Sequence, residues 1–471
     1  MKLNELINCS YDVEITGIKT NSVNVKKGDL FICIDSKTMD RHLFIDDAIK
    51  KGASAIIVKN KINPKPVPVI RVDDPNQIFN QIIHKFYHYP TDKLTMIGVT
   101  GTDGKTTVAT IIYQLIDNSA YIGTNGIFYN TYQEKTSNTT PSLDKTVPLF
   151  ADMVKNNIQT VSMEVSSEAL YYDRVAGIKF DCSILTNITK EHLNTHKTLE
   201  NYIACKCKLF DNTNGPCILN KDDEHFHEVL KHCSKVYTYG KDSDNDLYFK
   251  DVILKKDQTK FKIVYQNKEY EIISPLVAMF NVYNLCAAIL ALVSLGYDIN
   301  KLISRIKDIK ISGRLENVDL GQDFKIVIDY AHTPNGINNL LQFMNSLKHN
   351  RLIVVFSEPG ERDKSKRSSK GYAVISNCDY AIVTSQDPRG EDPLDIAHDL
   401  ISEVKNYKNY EIILDRSEAI KKAINMAKKN DIILIIGKGS DNYQILKDKI
   451  IEFSDLEETK KHLKNLLNKR N

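Results

Sequence analysis

The chain has 471 residues, 42% of them hydrophobic and 26% charged, and 63 Lys plus Arg against 60 Asp plus Glu leave a net charge of +3. At roughly 150 residues per domain, that length suggests about three domains. The ordinary apolar content excludes a mainly disordered chain, and the near balance of charge leaves no basic field for nucleic acid.

The N-terminal stretch, MKLNELINCSYDVE, lacks the apolar core of a signal peptide. Residues 1–88 read as a small α/β unit, with strands at 30–34 and 55–58 and helical spacing over 43–51. The proline-bearing stretch 62–70 then interrupts regular structure. A second segment, 89–310, opens with a buried strand at 94–99, a glycine-rich turn and a helix over 106–116. Apolar runs follow at 160–163, 182–185 and 217–219, and their alternation with helices predicts a mainly parallel sheet covered on both faces. A helix at 281–295 and the basic run 301–310 close this segment. The weakly polar stretch 282–297 contains Asn284 and Ser294 and is shorter than the ~20 residues of a membrane span, so no membrane insertion is expected. The third segment, 311–471, has strands at 325–328, 352–356, 381–384, 411–414 and 431–436, alternating with helices such as 394–404 and 418–429. That is a doubly wound, Rossmann-like pattern with nucleotide-binding character. The fold class is therefore α/β, in three domains. Nine scattered cysteines without CxxC spacing point to reduced thiols in a cytoplasm, and Cys205 and Cys207 alone are weak evidence for a metal.

Gly98-Val99-Thr100-Gly101-Thr102-Asp103-Gly104-Lys105-Thr106-Thr107 lies between a predicted strand and a predicted helix. Glycines let backbone N–H groups close around phosphate oxygens, and the helix N-terminus adds favourable partial charge. Lys105 would reach the outer phosphates, and Thr106 would hold Mg²⁺ through its hydroxyl. The Walker spacing is missed by one residue, because Val99 stands where its first glycine belongs. A dinucleotide fingerprint is excluded by the order of the glycines and the Lys-Thr ending. The bland alternative is a strand–helix turn that binds nothing.

The loop TGTDGKTT resembles the ATP loop of the Mur ligase family, which has Asn where Asp103 stands. The resemblance continues in order over nearly the whole chain: Asn138-Thr139-Thr140-Pro141, Met163-Glu164-Val165-Ser166-Ser167, Thr186-Asn187 with Glu191-His192-Leu193, Tyr202 to Phe210, Phe280-Asn281-Val282-Tyr283-Asn284, Gly313-Arg314-Leu315-Glu316 and Asp329-Tyr330-Ala331-His332-Thr333-Pro334. Within the family it is most similar to the MurE type, which adds the third amino acid to UDP-N-acetylmuramoyl-L-alanyl-D-glutamate. The resemblance implies that ATP phosphorylates the terminal carboxylate and that an amine then attacks the acyl phosphate, chemistry carried mostly by positioning and cations. It places ATP on Gly101, Thr102, Asp103, Gly104, Lys105, Thr106 and Thr107, with Asn281 and Asn284 on the adenine side and Arg314, Asp329 and His332 from the third segment. It makes Lys105, Glu164, His192 and Lys206 catalytic, and Thr106, Glu164 and His192 magnesium ligands. Lys206, fourteen residues after His192 in a Y-x-x-x-K-x-x-L-F context, corresponds to the lysine that carries CO₂ as a carbamate and so becomes an anionic metal ligand. The alternative for Lys206 is a solvated lysine on a basic helix.

Ser22, Asn138, Thr139, Thr140, Ser166 and Arg174 fall where the family holds the UDP-muramoyl peptide. Arg362, Gln386, Asp387, Pro388, Arg389, Gly437 and Asp441 fall in the amino-acid pocket. Two cues there oppose each other: Arg389 would welcome the distal carboxylate of meso-diaminopimelate, whereas Asp387, where the family has an amide, would welcome the ε-ammonium of L-lysine. Diaminopimelate is slightly favoured. The expected partners are small molecules only, namely ATP, the UDP-sugar peptide and an amino acid, acting on a cytoplasmic monomer. Alternatives are a divergent ligase for another peptide or a folate-type acceptor, and a non-catalytic nucleotide-binding relative. Retention of Glu164, His192 and Lys206 tells against the last.

Overall fold

The computed structural model describes residues 1–34, 39–136 and 138–470. The backbone forms two compact units, visited in turn. The first comprises Met1–Gly98, Asn118–Ser183 and Lys208–Gly215; the second comprises Val99–Asp117, Ile184–Cys207 and Pro216–Asn471.

The first unit opens with a four-stranded, all-parallel sheet of Gly17–Lys19, Asp29–Ile32, Ala55–Val58 and Val69–Arg71, in that spatial order. Phe31, Ile56 and Val58 pack on Ile45 and Ala48 of the helix Ile45–Lys50, which joins the central strands. The strand Val69–Arg71 lies at the end of the proline-bearing stretch expected to be irregular. It is tolerated there because it is an edge strand, with only one neighbour asking for its N–H groups, and the prolines precede it. Later in this unit, Thr160–Glu164 runs parallel to Ser119–Gly123, which continues antiparallel into Gly126–Tyr129 and Tyr132–Glu134.

In the second unit, Cys217–Asn220, Val236–Gly240 and Leu247–Leu254 are parallel, then Thr259–Tyr265 and Lys268–Ser274 return as an antiparallel meander. The sequence pattern predicted the strand at 217–219 but neither Val236–Gly240 and Leu247–Leu254 nor this extension, whose alternating, half-exposed strands carry little apolar signal. The helix Met279–Ser294 is apolar on nearly every face and packs against the helix Lys105–Leu115.

The last part of the unit is a six-stranded sheet in the order Glu316–Asn317, Lys325–Asp329, Ile432–Ile436, Leu352–Phe356, Tyr380–Val383 and Tyr410–Ile412, parallel except at the first edge. Alternate residues feed two cores. Val327, Val354 and Leu434 face the helices Pro334–Ser346, Arg367–Ile375 and Pro393–Ile401, while Ile326, Ile353 and Ile433 face Arg416–Met426 and the C-terminal helix. Both faces are covered, as the continuous apolar strands require. Asp329, Ser357, Gln386 and Gly437 all sit at or just beyond the carboxyl ends of these strands, the edge at which doubly wound sheets bind ligands.

Candidate active site

The strand Thr95–Thr100 runs into the glycine-rich loop and then into the helix Lys105–Leu115. Gly101 and Gly104 have φ of 145° and 87°, a region costly for side chains. A Cβ on Gly104 would stand 2.6 Å from Asn284 Oδ1, so the helix Met279–Ser294 presses directly on the loop. The loop is pinned from behind by Thr186-Asn187. Thr102 N donates to Asn187 O (2.7 Å), Asp103 N to Asn187 Oδ1 (3.0 Å), and Thr186 Oγ1 to Asp103 O (2.6 Å). Lys105 folds its ammonium back onto Gly101 O (2.9 Å) and Thr102 O (2.8 Å). Thr106 and Thr107 are buried at the start of the helix. Asn281 and Asn284 are buried too. Their amides serve Val277 O and each other, which leaves Asn284 aimed at Gly104.

Lys206 is 1% exposed and donates to Gly101 O at 2.8 Å, so it is not the solvated lysine of the bland reading. Burial, reinforced by the charge of Lys105, holds its amine well below the usual lysine range. His192 occupies the left-handed region at φ 54°, a strained conformation of the kind that clusters at working sites. Burial, then Lys105, Lys206, His332 and Lys366, lower its imidazole to about 2. A neutral imidazole keeps its lone pair, as a metal ligand must. The neighbouring Glu191 is paired with Lys366.

Residues from the six-stranded sheet complete this cluster. Arg314 Nη2 donates to Thr106 Oγ1 at 3.0 Å, and its guanidinium stacks 4.3 Å from the centre of the Tyr330 ring. Asp329 spends both carboxylate oxygens on backbone amides, Leu315 N and Ala331 N at 2.7 Å each. It therefore fixes the two turns that carry Arg314 and His332. The His332 ring is exposed, with Nδ1 3.2 Å from Tyr330 O.

The residues expected around the amino acid lie on adjoining loops. Gln386 donates to Gly437 O (3.1 Å) and accepts from Ser357 (3.1 Å), while Pro388 and Asp387 abut Gly360. Arg389 is held at φ 53° by its N–H to Ile445 O (3.1 Å). Arg362, Arg389, Asp441 and Asp387 all act electrostatically on the Tyr443 hydroxyl. Burial raises the Asp441 carboxyl to about 6, Lys438 opposing and Asp387 adding to the rise.

The proposed greeting of a substrate ammonium by Asp387 needs correction. Asp387 Oδ1 already accepts from Lys438 Nζ (3.1 Å) and Ile445 N (3.0 Å), and Lys438 is fully buried. The carboxylate is an internal counter-ion. Breaking such a buried pair leaves an uncompensated charge, so Asp387→Ala and Asp387→Asn, neither of which replaces the carboxylate's charge, should each lose about 3 kcal/mol of stability in denaturant unfolding. Equal stabilities of the Ala variant and the parent would show that Lys438 needs no partner.

In the first unit, Glu164 ends the strand Thr160–Glu164 and is completely buried. Tyr121 OH (2.5 Å) and Thr124 N (2.9 Å) donate to its Oε1, and Thr124 Oγ1 donates to Oε2 (3.2 Å). Thr139 Oγ1 is 3.1 Å from Thr124 Oγ1, Thr140 Oγ1 donates to Glu164 O (2.8 Å), and Arg174 donates to Thr140 O (3.3 Å). Thr139, Thr140, Arg174 and Ser166 thus surround the end of this strand, and Asn138 precedes Thr139 on the same loop. Ser166 also caps the helix Ser167–Tyr171 by accepting from Ala169 N. Ser22 is buried on a separate turn, where Lys51 Nζ donates to its carbonyl. Residues not singled out from the sequence support each cluster within its own unit: Tyr121 and Thr124 hold Glu164 in the first, and Lys366 and Lys438 pair with Glu191 and Asp387 in the second. Tyr202 and Thr333, which also brace the loop side of the second unit, lay inside quoted motifs.

Family models match three consecutive stretches: the Mur ligase family catalytic domain over residues 14–87, the Mur ligase middle domain over 99–292 and the Mur ligase glutamate ligase domain over 313–439. A relative from Clostridium acetobutylicum named UDP-N-acetylmuramoyl-L-alanyl-D-glutamate–2,6-diaminopimelate ligase 1 is 38% identical, over 98% of this chain and 97% of its own. The corresponding ligase of Clostridium perfringens is 36% identical over 96% of both. A solved structure of a ligase of the same name superposes with a TM-score of 0.68 at 28% identity, over 99% of each chain. A MurF ligase from Thermotoga maritima in complex with ADP, 20% identical with a TM-score of 0.66 over 97% of this chain and 98% of its own, shares the fold. No helix among the described residues is long and apolar enough to cross a membrane. The loop, the buried lysine and half-buried histidine beside it and the three matched stretches agree: the chain belongs to the Mur ligase family, with that family's three-domain α/β fold and ATP-dependent ligase character.

Proposed function

We propose that this chain joins 2,6-diaminopimelate to UDP-N-acetylmuramoyl-L-alanyl-D-glutamate at the expense of ATP, a step of peptidoglycan precursor synthesis, as a cytoplasmic monomer. Residues 1–88 would bind the UDP-muramoyl moiety, 89–310 ATP, and 311–471 the amino acid. The relatives' names support the acceptor. The observation that carries the choice of amino acid is the buried Asp387–Lys438 pair, which removes the carboxylate that competed for an ε-ammonium and leaves Arg389 as the selecting charge.

In this reading the γ-phosphoryl group of ATP passes to the D-glutamyl carboxylate, giving an acyl phosphate and ADP. The amine of the amino acid then attacks the carbonyl carbon, phosphate leaves, and an amide and a proton result. Lys105 and Arg314, both at the loop, balance the charge spread over the transferred group. Thr106, His192 and a carbamate on Lys206 would hold Mg²⁺, and the hydroxyl and neutral imidazole fit that role. Bound there, the ion would neutralise phosphate oxygens. Glu164 is kept oriented by Tyr121 and Thr124. Arg389, on its left-handed turn, would meet a planar carboxylate with its guanidinium fork.

Phosphate release with the UDP-dipeptide and ATP–Mg²⁺, titrated against meso-diaminopimelate and L-lysine in parallel, tests the proposal. Release with diaminopimelate supports it; release with lysine alone would overturn the amino-acid assignment. Arg389→Ala should raise the KM for diaminopimelate about 100-fold, the loss of a bidentate charge-assisted contact, and change lysine use far less. An equal effect on both amino acids would remove the selecting role of the arginine.

A further inference from the structure

Asp103 stands out within the nucleotide loop, because a carboxylate beside a triphosphate site is electrostatically unfavourable. Its surroundings explain where that charge goes. The backbone of Asp103 is turned toward Thr186-Asn187, through Asp103 N to Asn187 Oδ1 and Asp103 O from Thr186 Oγ1 and Asn187 Nδ2. Its side chain points the other way, to Thr333, whose hydroxyl lies 3.0 Å from Oδ1 and 3.2 Å from Oδ2. The same hydroxyl accepts from Gly336 N at 3.0 Å and so caps the helix Pro334–Ser346. Thr333 is 2% exposed. A hydroxyl has one proton, which goes to the carboxylate, and lone pairs, one of which takes the Gly336 N–H. The result is a directed chain from helix N–H to hydroxyl to carboxylate, with the anion near the positive end of the 13-residue helix.

We propose that Asp103 and Thr333 form a docking latch, which seats the first turn of the helix Pro334–Ser346, and with it the His332 turn, on the nucleotide loop before ATP arrives. Both are positioning residues, and the proposal rests on the reading of this loop as the ATP site. The latch has a built-in cost. The charge that strengthens the contact with the helix also repels the phosphates, so docking and nucleotide affinity are traded against each other through one side chain. An asparagine at 103 would keep one acceptor oxygen for Thr333 while giving up the charge. Thr333→Val would remove both the donor to Asp103 and the helix cap.

The test is a cycle of D103N, T333V and the double variant, in which ATP–Mg²⁺ affinity is measured by calorimetry and turnover by phosphate release. D103N should bind ATP about 5-fold more tightly than the parent, as expected for removing one charge at roughly 8 Å in a partly screened site. Its turnover should fall, separating Kd from kcat in a way that a merely structural role would not. The gain in affinity should shrink when sodium chloride is raised to about 1 M, where the Debye length is about 3 Å. T333V should lower kcat, and adding D103N to it should lower kcat little further, because the partner is already gone. Unchanged ATP affinity in D103N, or fully additive losses in kcat, would overturn the latch. Failure of the parent to bind ATP would overturn the nucleotide reading and the latch with it.

Discussion

Lys105→Ala should reduce phosphate release by at least about a thousandfold, the scale on which single charge-stabilising groups act in phosphoryl transfer. The reasoning starts from the loop. Lys105 is the first residue of its helix, and its ammonium is held at two loop carbonyls, Gly101 O and Thr102 O, inside the turn that the glycines create. An alanine there removes the point charge while leaving the backbone and the helix intact, since alanine is the best helix former. Binding of ATP should weaken less than turnover, because the charge matters most when the phosphoryl group is in transit. Single-turnover phosphate release, with ATP affinity measured separately, reads the two effects. Turnover near that of the parent would mean that the lysine closes the loop and does nothing to phosphate.

How much of this was legible beforehand follows from the kind of signal each residue leaves. The strand at Cys217–Asn220 and the five parallel strands of the six-stranded sheet were readable because doubly buried strands are continuous apolar runs, such as Leu352–Phe356 and Ile432–Ile436. The meander of Thr259–Tyr265 and Lys268–Ser274 was not, because polar residues alternate along it. Motifs marked the positions of the site residues, but their pairing is a three-dimensional fact. Asp387 and Lys438 are 51 residues apart, and nothing in either stretch says that the two charges cancel each other. Asp329 likewise reads as a ligand-facing acid, until both its oxygens are found on backbone amides. The strain at Ala278 is visible only in the backbone. The residue adopts φ 79° and ψ 152°, a region that only glycine enters freely. The chain accepts that strain at the start of the helix carrying Asn281 and Asn284.

Lys206→Met should cost the enzyme at least about a hundredfold in kcat while making the protein more stable at neutral pH in buffer stripped of CO₂ and nucleotide. The two effects have one origin. Methionine keeps most of the lysine's stem and volume, so the packing around a site that is 1% exposed survives. The amine, in contrast, is held well below the normal lysine range by burial, with the Lys105 charge adding to it. Between that lowered native value and the ordinary value of about 10.4, the unfolded chain binds a proton that the native chain does not. Stability of the parent therefore rises with pH through this window, and below it the fold carries the full penalty. Removing the amine removes the penalty and flattens the pH dependence, which melting curves across that range will show. On the proposed carbamate role activity should move in the opposite direction, because a neutral buried amine is the form that would add CO₂, releasing a proton and leaving a carbamate anion. Small carboxylates such as formate or acetate, added to the smaller Lys206→Ala variant, should restore part of the lost rate by supplying the missing anion. Full activity of both variants without any addition would leave Lys206 as a structural residue whose only business is its bond to Gly101 O.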